Sequence, residues 1–296
     1  MDLRQLRYFL AVAQAGSFSR AAEQEGVSQP ALSEQIRKLE RGLGVPLFER
    51  LARGVRLTPA GERLLDHARV VLREMASARR AIESLRTEVG GRLAVGAIPT
   101  VLPYLVAPRI EEFRRRYPEV RLRLVEDVTA RLLEGLRSGD LDLIVVSLPL
   151  REPDLICAEL LREPLLAALP ADHPLASERE LDPRALRNER WLLLRDGHCF
   201  RNEVLALCRR ALRDPGSLFE TDQFTSIIAL VAAGFGVSIL PAMAAPAARA
   251  CALVPLRGGP QRRIGYARLD RAFVPPAQLA FTEWLRAVAR RNTSRP

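Results

Sequence analysis

The chain has 296 residues, of which 48% are hydrophobic and 27% are charged, a composition typical of a globular protein with several modules. Its formal net charge of +10 favours an anionic partner. Arg4 and Arg7 interrupt the first apolar run, so that run does not fit a secretory signal, and no apolar run is long enough to span a membrane. We therefore expect a cytoplasmic protein without a membrane partner.

Four cysteines are present, and their spacing does not match a zinc site. A reducing compartment also disfavours a permanent disulfide framework. We therefore expect no metal and no cofactor, and any disulfide in this chain should be transient.

Residues 1–58 predict short capped helices separated by glycines. Asp2, Ser17 and Ser28 can each cap a helix, and the helices are expected over 3–15, 18–24 and 29–43. Two short helices joined by a tight glycine turn are typical of a helix-turn-helix. On the third helix a stripe of leucine and isoleucine is expected to be buried, which leaves the opposite face for solvent or for DNA.

The exposed face of that third helix carries side chains suited to duplex DNA. Glutamine and arginine read base edges in the major groove, and lysine binds phosphate. Strand-like segments at 47–50 and 55–57 flank Arg53 and predict a basic hairpin, or wing, that would reach a minor groove or a phosphate. The DNA-binding residues predicted on this basis are Ser28, Gln29, Pro30, Ser33, Arg37, Lys38 and Arg53.

Residues 59–91 are predicted to form a linker, a long helix from Pro59 to about Val89 that Thr58 caps and that Gly90 and Gly91 end at a domain boundary. Its apolar positions alternate spacings of three and four, which indicates a coiled-coil seam that needs a partner helix. A dimer formed in this way would place two recognition helices on one duplex. The seam consists of Ala68, Val71, Met75, Ala78, Ile82, Leu85 and Val89.

Residues 92–296 alternate strand and helix patterns, as in an α/β domain with a parallel sheet. Strands are expected at 93–97, 120–126 and 141–147, with a helix over 101–116, and separate strands at 155–161 and 165–169 begin a second set. Two lobes of this kind resemble periplasmic binding proteins and form a cleft. Thr100 and Thr129 follow strands at their carboxyl ends, where such sheets bind ligands, although each could instead cap a helix.

Cys199 is predicted to lie where a strand gives way to a helix. The helix dipole, His198 and Arg201 would each favour its thiolate, the form that attacks peroxide and becomes a sulfenic acid. Cys208 lies among apolar residues and could act only as a resolving thiol. Nine residues of helix span about 13.5 Å, whereas a disulfide needs Cα atoms about 4.4–6.8 Å apart. A bond between these cysteines would therefore require the helix to unwind.

The chain resembles LysR-type transcriptional regulators along its full length. The first 60 residues carry the resemblance in three segments, at 17–22, 27–33 and 47–50. Residues 96–100, the segment Asp196-Gly197-His198-Cys199 and Cys208 are similar to the OxyR-type peroxide sensors within that family. The resemblance implies a winged helix-turn-helix, a linker helix and a two-lobed effector domain.

The same resemblance assigns roles to residues of the effector domain. Cys199 would be the peroxidatic cysteine and Cys208 the resolving cysteine. Hydrogen peroxide would be held by Thr100, Thr129, His198 and either Arg262 or Arg263. OxyR-type sensors usually have an aspartate at the position of Asn202, so the tuning of Cys199 is expected to differ here. The implied partners are a double-stranded DNA operator, RNA polymerase and further copies of the chain, as a homodimer or a homotetramer.

Two other functions fit parts of the sequence. A regulator of the same family could bind a small organic effector in the cleft, with the cysteines structural. A thiol peroxidase would use Cys199 and Cys208 in turnover, but it would not explain the first 58 residues. We therefore expect a regulator that is not an enzyme.

Overall fold

The structure, a computed structural model, describes residues 1–51, 54–83, 89–211, 217–270 and 274–293. Contacts divide the chain into two compact units, Met1–Ile82 with Arg137–Asp140, and Glu83–Leu136 with Leu141–Pro296. Among the described helices, none is both long enough and apolar enough to cross a membrane.

The first unit contains the expected helices and hairpin. Asp2 Oδ1 accepts a hydrogen bond from the Gln5 amide at 2.8 Å, Ser17 and Ser28 cap the next two helices, and each helix ends at a glycine with positive φ. The predictions for these helices are therefore confirmed. The elements are α1 Leu3–Ala15, α2 Phe18–Glu25, α3 Gln29–Leu43, and the antiparallel strands β1 Phe48–Arg50 and β2 Val55–Leu57.

The linker helix α4 covers Pro59–Glu83, and the Gly61 amide donates to Thr58 Oγ1 at 3.0 Å, as a capping threonine requires. The predicted seam is wrong at Ala68, which is fully buried in the core of the first unit. Val71 and Ile82 are 42% and 67% exposed. Leu85 lies outside the described residues.

The first lobe of the effector domain contains the parallel strands β3 Gly91–Ala97, β4 Val120–Glu126 and β5 Leu143–Leu148. The predicted parallel arrangement is confirmed. The single helix expected over 101–116 is wrong: the chain forms a π-helical turn Leu102–Val106, a 3₁₀ turn Ala107–Arg109 and α5 Ile110–Arg116. Pro103 and Pro108 account for the interruptions, because proline lacks the amide that a regular helix needs. Helix α6, Thr129–Ser138, follows β4.

The two strands expected at 155–161 and 165–169 are one strand, β6 Leu155–Pro170, that runs through both lobes. It pairs with the antiparallel strand β11, Gln261–Leu269, along much of its length. Two further strands, β9 Ser238–Pro241 and β10 Cys251–Pro255, also join this sheet. Among the described residues the sheet has seven strands, in the order β10-β6-β11-β5-β3-β4 with β9 also beside β6. The lobes thus share a continuous backbone connection and do not meet only through loops.

The second lobe surrounds a separate hydrophobic core, which confirms the two-lobed α/β architecture. Two of its strands, β8 and β10, were not expected from the sequence. Its elements are β7 Trp191–Leu194, α7 Cys199–Ala211, β8 Ser217–Thr221, α8 Phe224–Ala232, β9 Ser238–Pro241 and β10 Cys251–Pro255, and α9 Pro276–Thr293 closes the first lobe.

We predict that Gly265→Ala destabilises the effector domain by about 1–3 kcal/mol, the usual cost of overpacking. A Cβ at this position in β11 would lie 2.4 Å from Leu148 Cδ1 and 2.5 Å from the carbonyl oxygen of Ala158. Tryptophan fluorescence during urea unfolding measures the effect, because both tryptophans, Trp191 and Trp284, lie in this domain.

Gly42→Ala is the control, since nothing lies within 4 Å of its added Cβ and the residue belongs to the first unit. It should leave the tryptophan transition unchanged. Equal midpoints for Gly265→Ala and wild type would show that the tight approach of β11 to β6 carries no energetic cost.

Candidate functional site

Cys199 is the first residue of α7, five residues after β7 ends at Leu194, so the predicted strand-to-helix junction is confirmed. Gly197, with φ of 98°, turns the chain into the helix. Cys199 is a half-buried free thiol that packs against the core of the first lobe, whereas Phe200 and Val204 are buried in the core of the second. The amino-terminal half of α7 therefore lies between the two lobes.

Cys208 belongs to the same uninterrupted helix, and its side chain lies outside the described residues. Because the backbone is helical from Cys199 to Ala211, the two cysteine Cα atoms are separated by about 13.5 Å of helix rise. A disulfide cannot span that distance. Any bond between them requires a different conformation of α7.

Arg201 does not leave its charge free for the thiol. Its Nε lies 2.8 Å from Asp196 Oδ1 and its Nη1 lies 2.9 Å from Glu220 Oε1, and Nη1 also donates to the carbonyl oxygen of Leu194. Two carboxylates offset the single positive charge, so Arg201 supports Cys199 less than the sequence suggested. It instead fixes the start of α7 against β7 and β8.

His198 is 5% exposed, and its Nε2 lies 3.2 Å from Oδ1 of Asp222. The other carboxylate oxygen of Asp222 lies 3.2 Å from Nη1 of Arg195. Asp222, just before α8, was not anticipated from the sequence. It orients the imidazole of His198 next to the backbone of Cys199.

The centre of the site is the buried guanidinium of Arg262. Its Nε donates to Glu163 Oε1 at 2.6 Å, its Nη1 donates to Thr100 Oγ1 at 3.0 Å, and its Nη2 donates to the Thr100 carbonyl at 3.0 Å. Glu163 Oε2 accepts from the Met243 amide, and the guanidinium carbon lies 5.1 Å from the centre of the Phe200 ring. Strand β11 thus connects the loop after β3, strand β6 and the start of α7.

The structure shows which of Arg262 and Arg263 faces the site, a choice that the sequence left open. Successive residues of a strand face opposite sides, and Arg262 is 2% exposed whereas the side chain of Arg263 is 41% exposed. Arg263 Nη1 lies 3.7 Å from Glu159 on the outer side of the sheet. The expectation that Arg263 could line the site is therefore wrong.

Three buried oxygen atoms near this network receive no well-formed hydrogen bond from the described residues: Thr129 Oγ1, Ser147 Oγ and Glu203 Oε2. Thr129 is the first residue of α6 and its hydroxyl caps nothing, so the capping alternative is wrong for it. Thr100 likewise uses its hydroxyl to receive Arg262. Polar atoms left in this state inside a protein are suited to a small polar ligand.

Glu203 lies one turn after Cys199 and was not expected from the sequence. Burial raises the pKa of its carboxyl, Arg262 and the nearby Ser147 hydroxyl lower it, and the charge of Glu163 raises it, with a net upward shift. Asn202, where an aspartate was expected, is exposed to solvent. A single sequence signal could have identified Glu203: its spacing of four residues from Cys199.

The other two cysteines lie apart from this network. Cys157 is exposed on β6, and Cys251 donates its thiol proton to the carbonyl oxygen of Ile228 at 3.5 Å. Burial raises the pKa of both thiols, which disfavours their reactive thiolate form.

The outward face of α3 presents Gln29, Arg37 and Lys38 to solvent, with Ser28 and Pro30 exposed at its start. Ser33 does not belong to that face: it is 3% exposed, and its hydroxyl accepts a hydrogen bond from Gln29 Nε2 at 3.0 Å. Its small side chain packs beside Leu32 and orients Gln29. Arg53 lies outside the described residues.

Comparison with known proteins identifies both parts of the chain. Residues 3–62 match the family described as "Bacterial regulatory helix-turn-helix protein, lysR family". Residues 86–290 match "LysR substrate binding domain".

The DNA-binding transcriptional dual regulator OxyR of Escherichia coli K12 is 41% identical over 250 residues, which cover 84% of this chain and 82% of that protein. A full-length OxyR cysteine-to-aspartate variant from Pseudomonas aeruginosa has a TM-score of 0.75 and 35% identity over 98% of this chain and 95% of that one. A hydrogen-peroxide-bound OxyR cysteine mutant from Corynebacterium glutamicum has a TM-score of 0.61 and 32% identity over 100% and 98% of the two chains. The present chain therefore belongs to the LysR family of transcriptional regulators, as an OxyR-type member.

Proposed function

We propose that this chain is a peroxide-sensing, DNA-binding regulator switched by oxidation of Cys199 and by a disulfide to Cys208. The observation that carries the proposal is the position of Cys199: a half-buried thiol at the first residue of α7, between the lobe cores and next to the buried Arg262 network. The relatives named as hydrogen peroxide-inducible activators support the same signal.

The chemistry follows from the site. Hydrogen peroxide binds among Thr100, Thr129, His198 and Arg262, beside Cys199 at the N-terminus of α7. The unpartnered hydroxyl of Thr129 and the guanidinium of Arg262 supply polar contacts for the two peroxide oxygens. The thiolate attacks one oxygen, the O–O bond breaks, and the other oxygen leaves as hydroxide and takes up a proton. The resulting sulfenic acid condenses with the Cys208 thiol and releases a second water molecule.

The disulfide transmits the signal by unwinding α7. Phe200 and Val204 of this helix pack into the second lobe, and Cys199 packs against the first. Unwinding of the helix therefore changes the side-chain contacts that hold the two lobes together. We propose that this change reorients a homodimer, paired into a homotetramer, on a double-stranded operator in the cytoplasm and alters contact with RNA polymerase. The exposed Val71 and Ile82 of α4 support a dimer through this helix.

In this proposal each of three consecutive segments of the chain has its own role. Residues 1–58 bind DNA through Gln29, Arg37 and Lys38 with the Arg53 wing, residues 59–91 dimerise, and residues 92–296 sense peroxide. Peroxide is consumed once per switching event, so the chain acts as a regulator and not as an enzyme in turnover.

Stoichiometric hydrogen peroxide is expected to remove two hydrogens from the intact protein, mapped to a link between Cys199 and Cys208. Intact mass and non-reducing peptide mapping measure it, and Cys199→Ser should not form the link because its hydroxyl does not attack peroxide. Cys251→Ser is the matched control and should behave as wild type.

Oxidation of Cys157 or Cys251 with no link at Cys199 would contradict the redox switch. A small organic molecule that raises the melting temperature of the reduced protein would then favour an effector-binding regulator. Sustained peroxide consumption with a thiol reductant would instead indicate a peroxidase.

Arg37→Ala is expected to weaken operator binding by about 1–3 kcal/mol and to relax the preference at one base pair, because its exposed guanidinium reads a base edge. Lys38→Ala should weaken binding to all duplexes by a similar factor. It should also reduce the slope of log affinity against log salt concentration by about one, because one phosphate contact is lost. Fluorescence anisotropy with duplexes selected from a random pool measures both effects.

Arg121→Ala, an exposed arginine on β4 of the effector domain, is the control and should leave affinity and salt dependence unchanged. If Arg37→Ala keeps the wild-type sequence preference, α3 does not read bases through this residue.

A further inference from the structure

Glu203 and Cys199 occupy one face of α7. Residues four apart on a helix are neighbours, with Cβ atoms about 5–6 Å from each other. Phe200 and Val204, one position further along, are buried in the second lobe. Cys199 packs on the first lobe, and Glu203 lies beside Ser147 of β5, which belongs to that lobe. The thiol and the carboxyl therefore share the side of the helix that faces the site.

Side chains of a helix lean toward its N-terminus, so a glutamate at position 203 extends toward the preceding turn, which begins at Cys199. Peroxide reduction sets two distance requirements. Attack needs the thiolate sulfur about 3–3.5 Å from one oxygen. A proton donor must lie about 2.6–3.2 Å from the other oxygen. Glu203 Oε2 is buried and receives no well-formed hydrogen bond from the described residues, so it is available to a ligand.

Burial, more than the neighbouring charges, favours the protonated form of Glu203. The ionisable groups that face it are Arg262 on β11, Glu163 on β6 and Cys199 on its own helix. Arg262 carries one positive charge, and Glu163 already pairs with it at 2.6 Å. Burial, followed by the opposing effects of Arg262 and Ser147 and the repulsion of Glu163, leaves the pKa of Glu203 above its ordinary value.

We propose that Glu203 is the general acid for peroxide reduction at Cys199, an inference that rests on the proposed function. The thiolate sulfur donates an electron pair to the nearer peroxide oxygen and the O–O bond breaks. The departing hydroxide takes the Glu203 proton and leaves as water. Cys199 becomes a sulfenic acid, oxidised by two electrons, and Glu203 becomes a carboxylate next to Arg262. Solvent later returns the proton.

Position 202 is an asparagine and has no acidic group, which is consistent with Glu203 being the general acid. Asn202 is exposed and cannot donate to a buried peroxide, whereas Glu203 faces the site. This chain thus carries its carboxyl on the inward position of α7.

The test compares two oxidants that differ in leaving group. Full-length reduced protein reacts in single turnover with hydrogen peroxide or with peracetic acid, and sulfenic acid at Cys199 is trapped and quantified by mass. Glu203→Gln should slow the reaction with hydrogen peroxide by about 10²–10⁴-fold, the usual contribution of a general acid. It should leave the reaction with peracetic acid nearly unchanged, because acetate departs without a proton. Asn202→Ala is the matched control and should behave as wild type.

The pH dependence supplies a second readout. Glu203 is protonated below its raised pKa and loses its proton as the pH rises through that value. The wild-type rate with hydrogen peroxide should therefore fall on the alkaline side, and Glu203→Gln should lack that fall.

Equal slowing with both oxidants would overturn the proposal, because a structural defect does not distinguish leaving groups. Wild-type rates for Glu203→Gln with hydrogen peroxide would also overturn it while leaving the peroxide switch intact. Failure of wild type itself to oxidise at Cys199 would overturn the proposed function. If Glu203→Gln does not fold, Glu203→Asp replaces it. Its shorter side chain holds the carboxyl farther from the peroxide, so the variant should react more slowly with hydrogen peroxide and at the wild-type rate with peracetic acid.

Discussion

The buried guanidinium of Arg262 is the interaction on which the effector domain depends. It connects Thr100 of the first lobe, Glu163 on the strand shared by both lobes, and the ring of Phe200 at the start of α7. Loss of one partner from such a buried pair costs about 3–5 kcal/mol, because it leaves a charge without compensation. The same contacts hold Cys199, one residue before Phe200, at a fixed place between the lobes. Stability and chemistry are therefore set by the same side chain.

Elements determined by local interactions could be predicted from the sequence. The helix caps at Asp2, Ser17, Ser28 and Thr58 act within a few residues, and the structure contains each of them. Strand β6 was divided in error, because Arg162-Glu163-Pro164 looks like a polar turn between two apolar runs. Glu163 is tolerated inside a strand because Arg262 and the Met243 amide, both far along the chain, bind its two carboxylate oxygens. No pattern of neighbouring residues can indicate a partner that lies so far along the chain.

The sequence indicated which residues could form the candidate site, but it did not indicate how they are arranged. The position of Cys199 followed from the strand and helix patterns around it. The choice of Arg262 over Arg263 depended on strand register, and the burial of Ser33 depended on packing against other helices. Asp222, Ser147 and Glu203 enter the site from different elements, so no spacing in the sequence connects all three to the thiol. Long-range pairing supplies what local patterns cannot.

The proposed redox switch requires a helix that is intact in the reduced protein and unwound in the oxidised one. Helix α7 holds both cysteines on one continuous backbone, where their disulfide cannot form. Amide hydrogen exchange over residues 200–208, compared between reduced and fully peroxide-oxidised protein, tests this requirement directly. For a switch of this kind we expect slow exchange in the reduced state and a loss of protection across this segment after oxidation. Equal protection in the two states, with the disulfide shown to be present, would contradict it.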